Sequence, residues 1–593
     1  MRGGGPRQTP DPRQRGAAGL HQHQHLHPFA GNAGRTGSTG QGRDRDDVAK
    51  RTAGGARRPA GRHRGRRAVP GQRRGRLRHR HLADRRWRHH HRPAPQLGSH
   101  HAGDVRRPAA DGRRRAAGVI PIEGRVPTRT AAFAGLGSVA YGIKDNGFST
   151  FLLLFYNQVL GMDARLVSLA LLIALVFDGL VDPLVGHVSD RTRTRFGRRL
   201  PFLYLAPIPL GIAWVLLWSP TGAPSFATLL VSAILVRGLV AACEVPSAAL
   251  VAEISRDYDE RTRLTRFRFV FAWGGGLLML LLAYGVFLPN AMLAREGYRA
   301  FGIAGAILMA GCVLGSAIGL HRTIAGWPPQ QASSGKGLLG SLGEIRESFS
   351  HPACLVVMAG IACAMTSQGI TFALSNYLYL YVWRFTPTAL QIFPVVLFGS
   401  VIGASLLAGP AQRRWGKAGA VAATAPLGML FWVGPLLLRY GDLWAADGST
   451  PALVAMFVCT LLANTFTVTS SIALWSMVAD VVEASEEQTG RRSEGTLSAG
   501  AFLASKCATG LGIFAAGLLL SYAQLQPNAR PDAVPATVID RLSLAYAVCT
   551  ALLAVATALI ARRFPIDRAA HEARLALLDK LAHSDPDAGG LHP

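Results

Sequence analysis

The stretch Val167-Ser-Leu-Ala-Leu-Leu-Ile-Ala-Leu-Val-Phe-Asp178-Gly-Leu-Val-Asp182-Pro-Leu-Val185 is almost wholly apolar but contains two aspartates. An apolar run of this length predicts a helix that crosses a bilayer, whose hydrocarbon core is about 30 Å thick. A charge at the centre of such a helix costs roughly 2.5–3.5 kcal/mol on insertion scales, so it faces a cavity or a partner. The i, i+4 spacing places Asp178 and Asp182 on one helix face. The pair therefore predicts a site for a hard cation such as Na⁺, or for a shared proton.

A purely structural role is the competing interpretation of this pair. Two like charges one helical turn apart repel each other unless a positive group lies nearby. We therefore favour the ion site, in which Asp178 and Asp182 are the ligands of the metal ion if that ion is Na⁺.

Twelve apolar runs of about 20 residues follow residue 130, and they predict an all-α membrane protein with twelve transmembrane helices. We number these helices spans 1 to 12. They cover residues 131–160, 164–187, 201–219, 225–250, 268–290, 299–320, 353–383, 387–410, 417–439, 451–482, 496–522 and 541–562.

The connections from even to odd spans are basic, whereas those from odd to even spans have no comparable excess of positive charge. The basic residues lie in Arg191 to Arg199, in Arg256 to Arg268, in Arg413 to Lys417, and at Arg491 and Arg492. Because Lys and Arg collect in cytoplasmic loops, both termini are predicted to be cytoplasmic. The expected location is the inner, or plasma, membrane.

The longest connection, residues 321–351, lies between spans 6 and 7 and is predicted to be a cytoplasmic linker. The segment from Gly409 to Lys417 after span 8 repeats, in shorter form, the segment from Gly186 to Arg199 after span 2. Equivalent loops at equivalent places indicate two related halves. We therefore expect six-helix bundles at 126–320 and 352–565, followed by a cytoplasmic tail at 566–593.

The loop after span 2 is a candidate conformational gate. Its glycines, at Gly186 and near Arg199, permit tight turns and close helix approach. An aspartate followed by arginines can bind neighbouring helix ends and form a charge latch. The residues assigned to this latch are Gly186, Asp190, Arg191, Arg198 and Arg199. A solvated loop that only sets membrane orientation is the alternative.

The first 125 residues form a leader of different composition. Residues 1–120 hold 29 Lys and Arg against seven Asp, so this segment carries +22 of the chain's net charge of +29. It also contains 12 of the 18 His and has no apolar stretch, which predicts disorder. We interpret it as sequence translated upstream of the native start, or as a basic tail that touches anionic lipid. No zinc-finger spacing or aromatic interleaving supports nucleic-acid binding.

Four motifs occur in a fixed order along the spans. They are Tyr141-Gly-Ile-Lys-Asp-Asn-Gly147, Phe177-Asp-Gly-Leu-Val-Asp-Pro183, the loop from Asp190 to Arg199, and Asp257-Tyr-Asp-Glu-Arg-Thr-Arg263. In this order and spacing the chain resembles the glycoside-pentoside-hexuronide:cation symporters, the melibiose permease branch of the major facilitator superfamily. The resemblance covers about residues 131 to 565 and does not include the leader.

The resemblance implies roles for particular side chains. Asp178 and Asp182 match the carboxylates of the family's cation site, and Asp145 matches the residue that holds substrate hydroxyls. Glu244 stands where the family has an acidic residue between cation and sugar. Lys506 matches the lysine that reaches toward the cation-site carboxylates.

Three further basic residues complete the predicted substrate site. Arg268 matches the family's substrate-pocket arginine. Lys144, beside Asp145, either contacts the substrate or forms a local ion pair. Arg237 lies seven residues before Glu244 on nearly the same face of span 4, where it would neutralise that residue or create an anion site suited to a uronide.

The resemblance implies cation-coupled symport of a sugar, glycoside or uronide by alternating access, driven by Na⁺ or H⁺. The expected partners are a small solute, a monovalent cation and the lipid bilayer, with no nucleic acid. Neither covalent chemistry nor a cofactor beyond the coupling ion is expected, and the protein is predicted to be monomeric. Two alternatives stay open. One is transport of a lysophospholipid-like amphiphile, and the other is a membrane receptor that binds without transporting.

Overall fold

A computed structural model of the protein describes residues 125–255, 257–289, 292–324, 352–445, 449–489 and 494–565. The leader up to residue 124, residues 325–351 of the predicted linker and the tail at 566–593 lie outside the described residues. Within the described ranges all regular secondary structure is helical and no strand is assigned, as the sequence predicts.

All twelve predicted spans are helices. In chain order they are span 1 (Thr128–Leu136, Val139–Asn146, Gly147–Phe151, Leu152–Leu154 and Phe155–Val159), span 2 (Ala164–Arg191), span 3 (Leu200–Leu205 and Pro207–Trp218), span 4 (Phe226–Ile254), span 5 (Tyr258–Leu282 and Ala283–Phe287), span 6 (Arg295–Ile324), span 7 (Pro352–Tyr377 and Leu378–Val382), spans 8 and 9 (together Pro387–Tyr440), span 10 (Thr450–Thr489), span 11 (Glu494–Ala523) and span 12 (Ala536–Ala561). A short 3₁₀ turn, Pro531–Ala533, precedes span 12.

Nine continuous helices in the described part are long and apolar enough to cross a membrane. One of them, Pro387–Tyr440, holds two spans, because Gly416 has φ 70° and ψ 172° and interrupts the helix there. Span 1 passes through two π-helical segments, and span 3 is divided near Pro207, so these two spans consist of shorter pieces. The prediction of twelve spans is confirmed.

Several helices extend beyond their predicted ends. Span 2 ends at Arg191 rather than at residue 187, and span 10 reaches Thr489 rather than 482. Span 6 continues to Ile324, into the predicted linker. The apolar pattern detects only the part of a helix inside the hydrocarbon, whereas the backbone hydrogen bonds allow the helix to continue into the polar region.

Glycines bring helices together at equivalent places in the two halves. A Cβ at Gly142 of span 1 would overlap the carbonyl oxygen of Ala272 in span 5. A Cβ at Gly369 of span 7 would overlap the carbonyl oxygen of Thr509 in span 11. Spans 1 and 5 therefore cross as spans 7 and 11 do, which supports the prediction that the halves are related.

The outer faces of several spans are apolar. Leu205 of span 3, Ile307 of span 6 and Leu552 of span 12 are 74%, 68% and 65% exposed. Extended apolar surface of this kind is rare on water-soluble proteins and is normal where lipid covers it. The fold is that of an integral membrane protein whose chain crosses the bilayer many times.

We expect Gly142→Ala to lower the thermal unfolding midpoint of the detergent-purified protein, because the added methyl group overlaps span 5 and overpacking costs about 1–3 kcal/mol. Gly274→Ala is the matched control, since a Cβ there has nothing within 4 Å. Equal midpoints for the two variants would contradict the close crossing of spans 1 and 5.

Candidate solute and ion site

The two aspartates of the predicted cation site, Asp178 and Asp182, lie at the contact between the two halves. Asp178 has a side chain that is 3% exposed, whereas that of Asp182, one turn further along span 2, is 33% exposed. Lys506 of span 11 contacts both: its Nζ lies 3.1 Å from Asp178 Oδ2 and 2.5 Å from Asp182 Oδ2. An ion bridge therefore joins span 2 of the N-terminal half to span 11 of the C-terminal half.

Arg237 does not pair with Glu244, in contrast to the interpretation from sequence. Its Nη1 donates to Asp178 Oδ2 at 2.9 Å, and its guanidinium carbon lies 4.4 Å from the centroid of the Phe148 ring. Two residues seven positions apart are separated by about 10 Å along a helix, so a direct contact on span 4 is unfavourable. Span 2 instead places Asp178 opposite Arg237, and the resulting pair is buried on both sides.

A second charged group links spans 1 and 4. The Nζ of Lys144 lies 2.8 Å from Asp145 Oδ1 and 3.9 Å from Glu244 Oε2. The Lys144 side chain is 5% exposed, whereas those of Asp145 and Glu244 are 67% and 39% exposed. Both carboxylates thus retain oxygens that can accept hydrogen bonds from another molecule.

Arg268 lies beside this group rather than within it. Its Nη1 donates to Ser247 Oγ at 2.6 Å, and its guanidinium carbon lies 5.8 Å from the ring centroid of Tyr141. Tyr141 is one helical turn before Asp145, and its buried hydroxyl has no hydrogen-bond partner. Tyr141 belongs to the first of the four motifs but was not among the predicted site residues. An aromatic residue one turn before the predicted acid was the available signal.

The structure brings the predicted site residues into one region between spans 1, 2, 4, 5 and 11. The set contains four cations and four anions: Lys144, Arg237, Arg268 and Lys506, with Asp145, Asp178, Asp182 and Glu244. Such a set can bind a polar solute without a large net charge in the low-dielectric interior.

Side-chain hydrogen bonds join the halves at the end opposite the basic loops. We name these residues the polar closure: Asn157 and Gln158 of span 1, and Asn376, Tyr377 and Tyr381 of span 7. Tyr377 Oη donates to Asn157 Oδ1 at 3.0 Å, and Tyr381 Oη donates to Gln158 Oε1 at 3.0 Å. Asn376 Nδ2 donates to the carbonyl of Thr150 at 2.9 Å. No motif in the sequence had indicated this set.

Spans 2 and 11 extend the contact from this end toward the middle of the protein. A Cβ at Gly517 would overlap Ser168 near the start of span 2, and a Cβ at Gly179 would lie 2.5 Å from Leu503. The halves therefore meet from the polar closure to the level of Asp178 and Asp182.

Three of the predicted gate residues, Asp190, Arg198 and Arg199, form a charge cluster whose buried centre is Arg199 with Glu253. Arg199 Nη2 lies 2.8 Å from Asp190 Oδ1, and its Nε lies 2.5 Å from Glu253 Oε1. Arg198 Nη2 binds the same Glu253 oxygen at 2.6 Å. Glu253, at the end of span 4, is the member that sequence analysis missed, since nothing near it in the chain marks its partner.

The other gate residues have different positions. Arg191 is exposed at the end of span 2. Gly186 faces span 4, where a Cβ would lie 3.6 Å from Val245 Cγ1, so a small side chain there is tolerated. In the C-terminal half, Lys417 Nζ lies 2.5 Å from Asp480 Oδ1 of span 10. This contact is the counterpart of the one between Arg199 and Glu253 of span 4.

We expect Glu253→Gln to destabilise the protein by on the order of 3 kcal/mol, because Arg199 is buried and both arginines lose their shared carboxylate. Glu296→Gln, at an exposed position at the start of span 6, is the control and should change stability by less than about 1 kcal/mol. Chemical unfolding followed by tryptophan fluorescence would measure both. Equal losses in the two variants would contradict the structural role of Glu253.

Gln158→Leu should open the polar closure. Gln158 Nε2 donates hydrogen bonds and its Oε1 accepts them. The leucine removes this partner from four groups, which are Asn157 Oδ1, the Gln526 carbonyl, Tyr381 Oη and the backbone N–H of Ala529. We expect faster amide hydrogen exchange in residues 152–159 and 377–382. Gln391→Leu, exposed on span 8, is the control. Unchanged exchange in the Gln158 variant would show that other contacts hold this end closed.

Comparison with known proteins identifies relatives across the membrane region. The family model described as MFS/sugar transport protein matches residues 133–568. The putative glycoside/cation symporter YagG of Escherichia coli is 26% identical, over 71% of this chain and 88% of the relative. The putative sulfoquinovose importer of Escherichia coli is also 26% identical, over 67% and 84%. A solved bacterial homologue of the human lysosomal transporter Spinster shares the fold, with a TM-score of 0.51 and 18% identity over 74% of this chain and 95% of that one.

Proposed function

Because the chain belongs to the MFS/sugar transport family, whose members are membrane transporters rather than enzymes, we propose that it is a cation-coupled symporter of a sugar, glycoside or uronide. Solute and ion bind between the two six-helix halves. The halves then rock about this site, so that it opens to one side of the membrane at a time.

One observation carries this proposal: two carboxylates in the middle of membrane-spanning helices remain accessible beside the buried Lys144. Asp145 is 67% and Glu244 39% exposed, although each lies in the middle of a span. A carboxylate there is unfavourable unless it serves a ligand or a water-filled path. Charged acceptors hold the hydroxyl groups of a polyol strongly and discriminate against analogues that lack them.

Arg268 supplies hydrogen-bond donors beside the same site. Its described contacts are with the hydroxyl of Ser247 and the ring of Tyr141, both of which are uncharged. A guanidinium with neutral neighbours favours a solute that carries a carboxylate or sulfonate. This supports a uronide or another acidic sugar, and the sulfoquinovose importer among the relatives is in keeping with that class.

Coupling would depend on the bridge between Lys506 and the aspartates of span 2. Lys506 belongs to one half and Asp178 and Asp182 to the other, so a cation or proton that takes the place of Lys506 changes how the halves attract each other. If ion and solute stabilise the same arrangement, each raises the affinity for the other by the same factor. This linkage is the basis of symport.

The proposal includes the membrane context predicted from sequence. The chain acts as a monomer in the inner membrane, with both termini in the cytoplasm and no cofactor other than the coupling ion. With the basic loops on the cytoplasmic side, the polar closure lies at the outer end of the proposed carrier.

The decisive experiment is uptake by proteoliposomes that contain the full chain. A panel of labelled neutral glycosides, pentosides, hexuronides, a sulfonated sugar and a lysophospholipid is tested with pH and Na⁺ gradients imposed separately. We expect gradient-driven accumulation of a sugar, strongest for an acidic one. Movement of the lysophospholipid alone, or binding of a sugar without flux, would replace this proposal by the lipid carrier or the receptor.

Asp145→Asn should weaken solute affinity by about tenfold or more, because an amide replaces a charged acceptor that binds hydroxyls. Asp442→Asn is the matched control, since Asp442 is exposed in a loop with φ 57°, a conformation that asparagine adopts readily. The concentration dependence of uptake measures both variants. If both behave like the wild type, Asp145 does not bind the solute.

A further inference from the structure

Asp178 already has two cations that belong to the protein. Arg237 Nη1 and Lys506 Nζ lie 2.9 and 3.1 Å from the same oxygen, Oδ2. Lys506 also binds Asp182. The two carboxylates of span 2 are therefore balanced by two tethered positive charges, and a sodium ion would add a third to a buried cluster.

Arg237 differs from Lys506 in how firmly it is held. The Arg237 side chain is 4% exposed and lies against the face of the Phe148 ring, whereas Lys506 is 23% exposed. Arg237 and Asp178 also belong to the same half of the protein, on spans 4 and 2. When the halves rock, Lys506 can move away with the C-terminal half, but the contact between Arg237 and Asp178 lies within a single bundle and stays intact.

The hydrogen bonds at Arg237 show which kind of group the cluster lacks. Its Nε is buried and has no partner, so a donor here is unsatisfied. Water, or an oxygen of a solute, would satisfy that donor. A sodium ion would not, because it competes with Arg237 for the same carboxylate oxygen and offers no acceptor. The cluster therefore lacks a hydrogen-bond acceptor for Arg237 Nε rather than a cation.

We propose that Arg237 is a built-in counter-ion that takes the place of Na⁺ at Asp178, so that the protein does not bind Na⁺ there. Arg237 is then a determinant of ion selectivity, and its transport consequence, symport that does not require Na⁺, rests on the proposed function. The charged groups around Asp178 are Lys144, Asp182, Arg237, Glu244 and Lys506.

The test is sodium binding to the purified full chain in detergent, measured with radioactive sodium and as the shift in thermal unfolding between equimolar NaCl and choline chloride. We expect the wild type to show neither saturable binding nor a shift. Arg237→Gln removes the tethered charge and should gain saturable Na⁺ binding and a higher unfolding midpoint in NaCl than in choline chloride. Arg237→Lys keeps a positive charge and should stay indifferent to Na⁺. The double variant Arg237→Gln/Asp178→Asn should lose the binding that the single variant gains.

Three outcomes would overturn the proposal. The first is saturable Na⁺ binding by the wild type that Asp178→Asn abolishes. The second is a folded Arg237→Gln variant that binds no Na⁺. The third is an Arg237→Gln variant that fails to fold in both salts, because a purely structural ion pair predicts that loss, whereas the proposal predicts rescue by Na⁺. The sodium-binding test needs no solute. If the uptake experiment shows no solute flux, the symporter proposal fails but the sodium-binding result still stands.

Discussion

A carboxylate enclosed in the middle of a membrane protein has to be neutralised, and the way Asp178 meets this constraint organises the centre of the molecule. Isolated, it would destabilise the fold by several kcal/mol, and its two basic partners come from different places. Arg237 comes from the same bundle and Lys506 from the opposite one. One contact therefore stabilises a bundle, while the other attaches the two bundles to each other at the level of the proposed site.

The surrounding packing divides into contacts within the halves and contacts between them. Within each half, glycines such as Gly142 and Gly369 allow helices to cross backbone to backbone, which fixes their geometry. Between the halves, the polar closure consists of tyrosine, asparagine and glutamine side chains that form directional hydrogen bonds. Hydrogen bonds of this kind exchange readily for water, since their net contribution is about 1 kcal/mol each. Rigid bundles joined by replaceable contacts suit a carrier that alternates between two openings.

The sequence predicted the fold closely. Twelve apolar runs gave the spans, and the resemblance to the glycoside-pentoside-hexuronide:cation symporters is confirmed by the family model over residues 133–568. The ends of the spans were less accurate, because helices such as Ala164–Arg191 and Arg295–Ile324 continue past the hydrocarbon. The sequence predicted the eight charged residues of the site around Asp178 but missed Glu253, whose basic partners lie more than 50 positions away. It also missed Tyr141 and the polar closure, because uncharged polar residues in an apolar helix carry little signal until their partners are known.

The sequence by itself therefore determined which segments cross the membrane and which charged residues lie inside it, because apolar length and isolated charge are local properties of the chain. Only the tertiary structure decided the pairing of those charges. Arg237 binds Asp178, 59 positions away, rather than Glu244 on its own helix, and Lys506 reaches Asp182 across 324 positions. These pairs depend on the rotation and crossing of helices, which are set by side-chain packing across the whole bundle rather than by any one stretch of sequence.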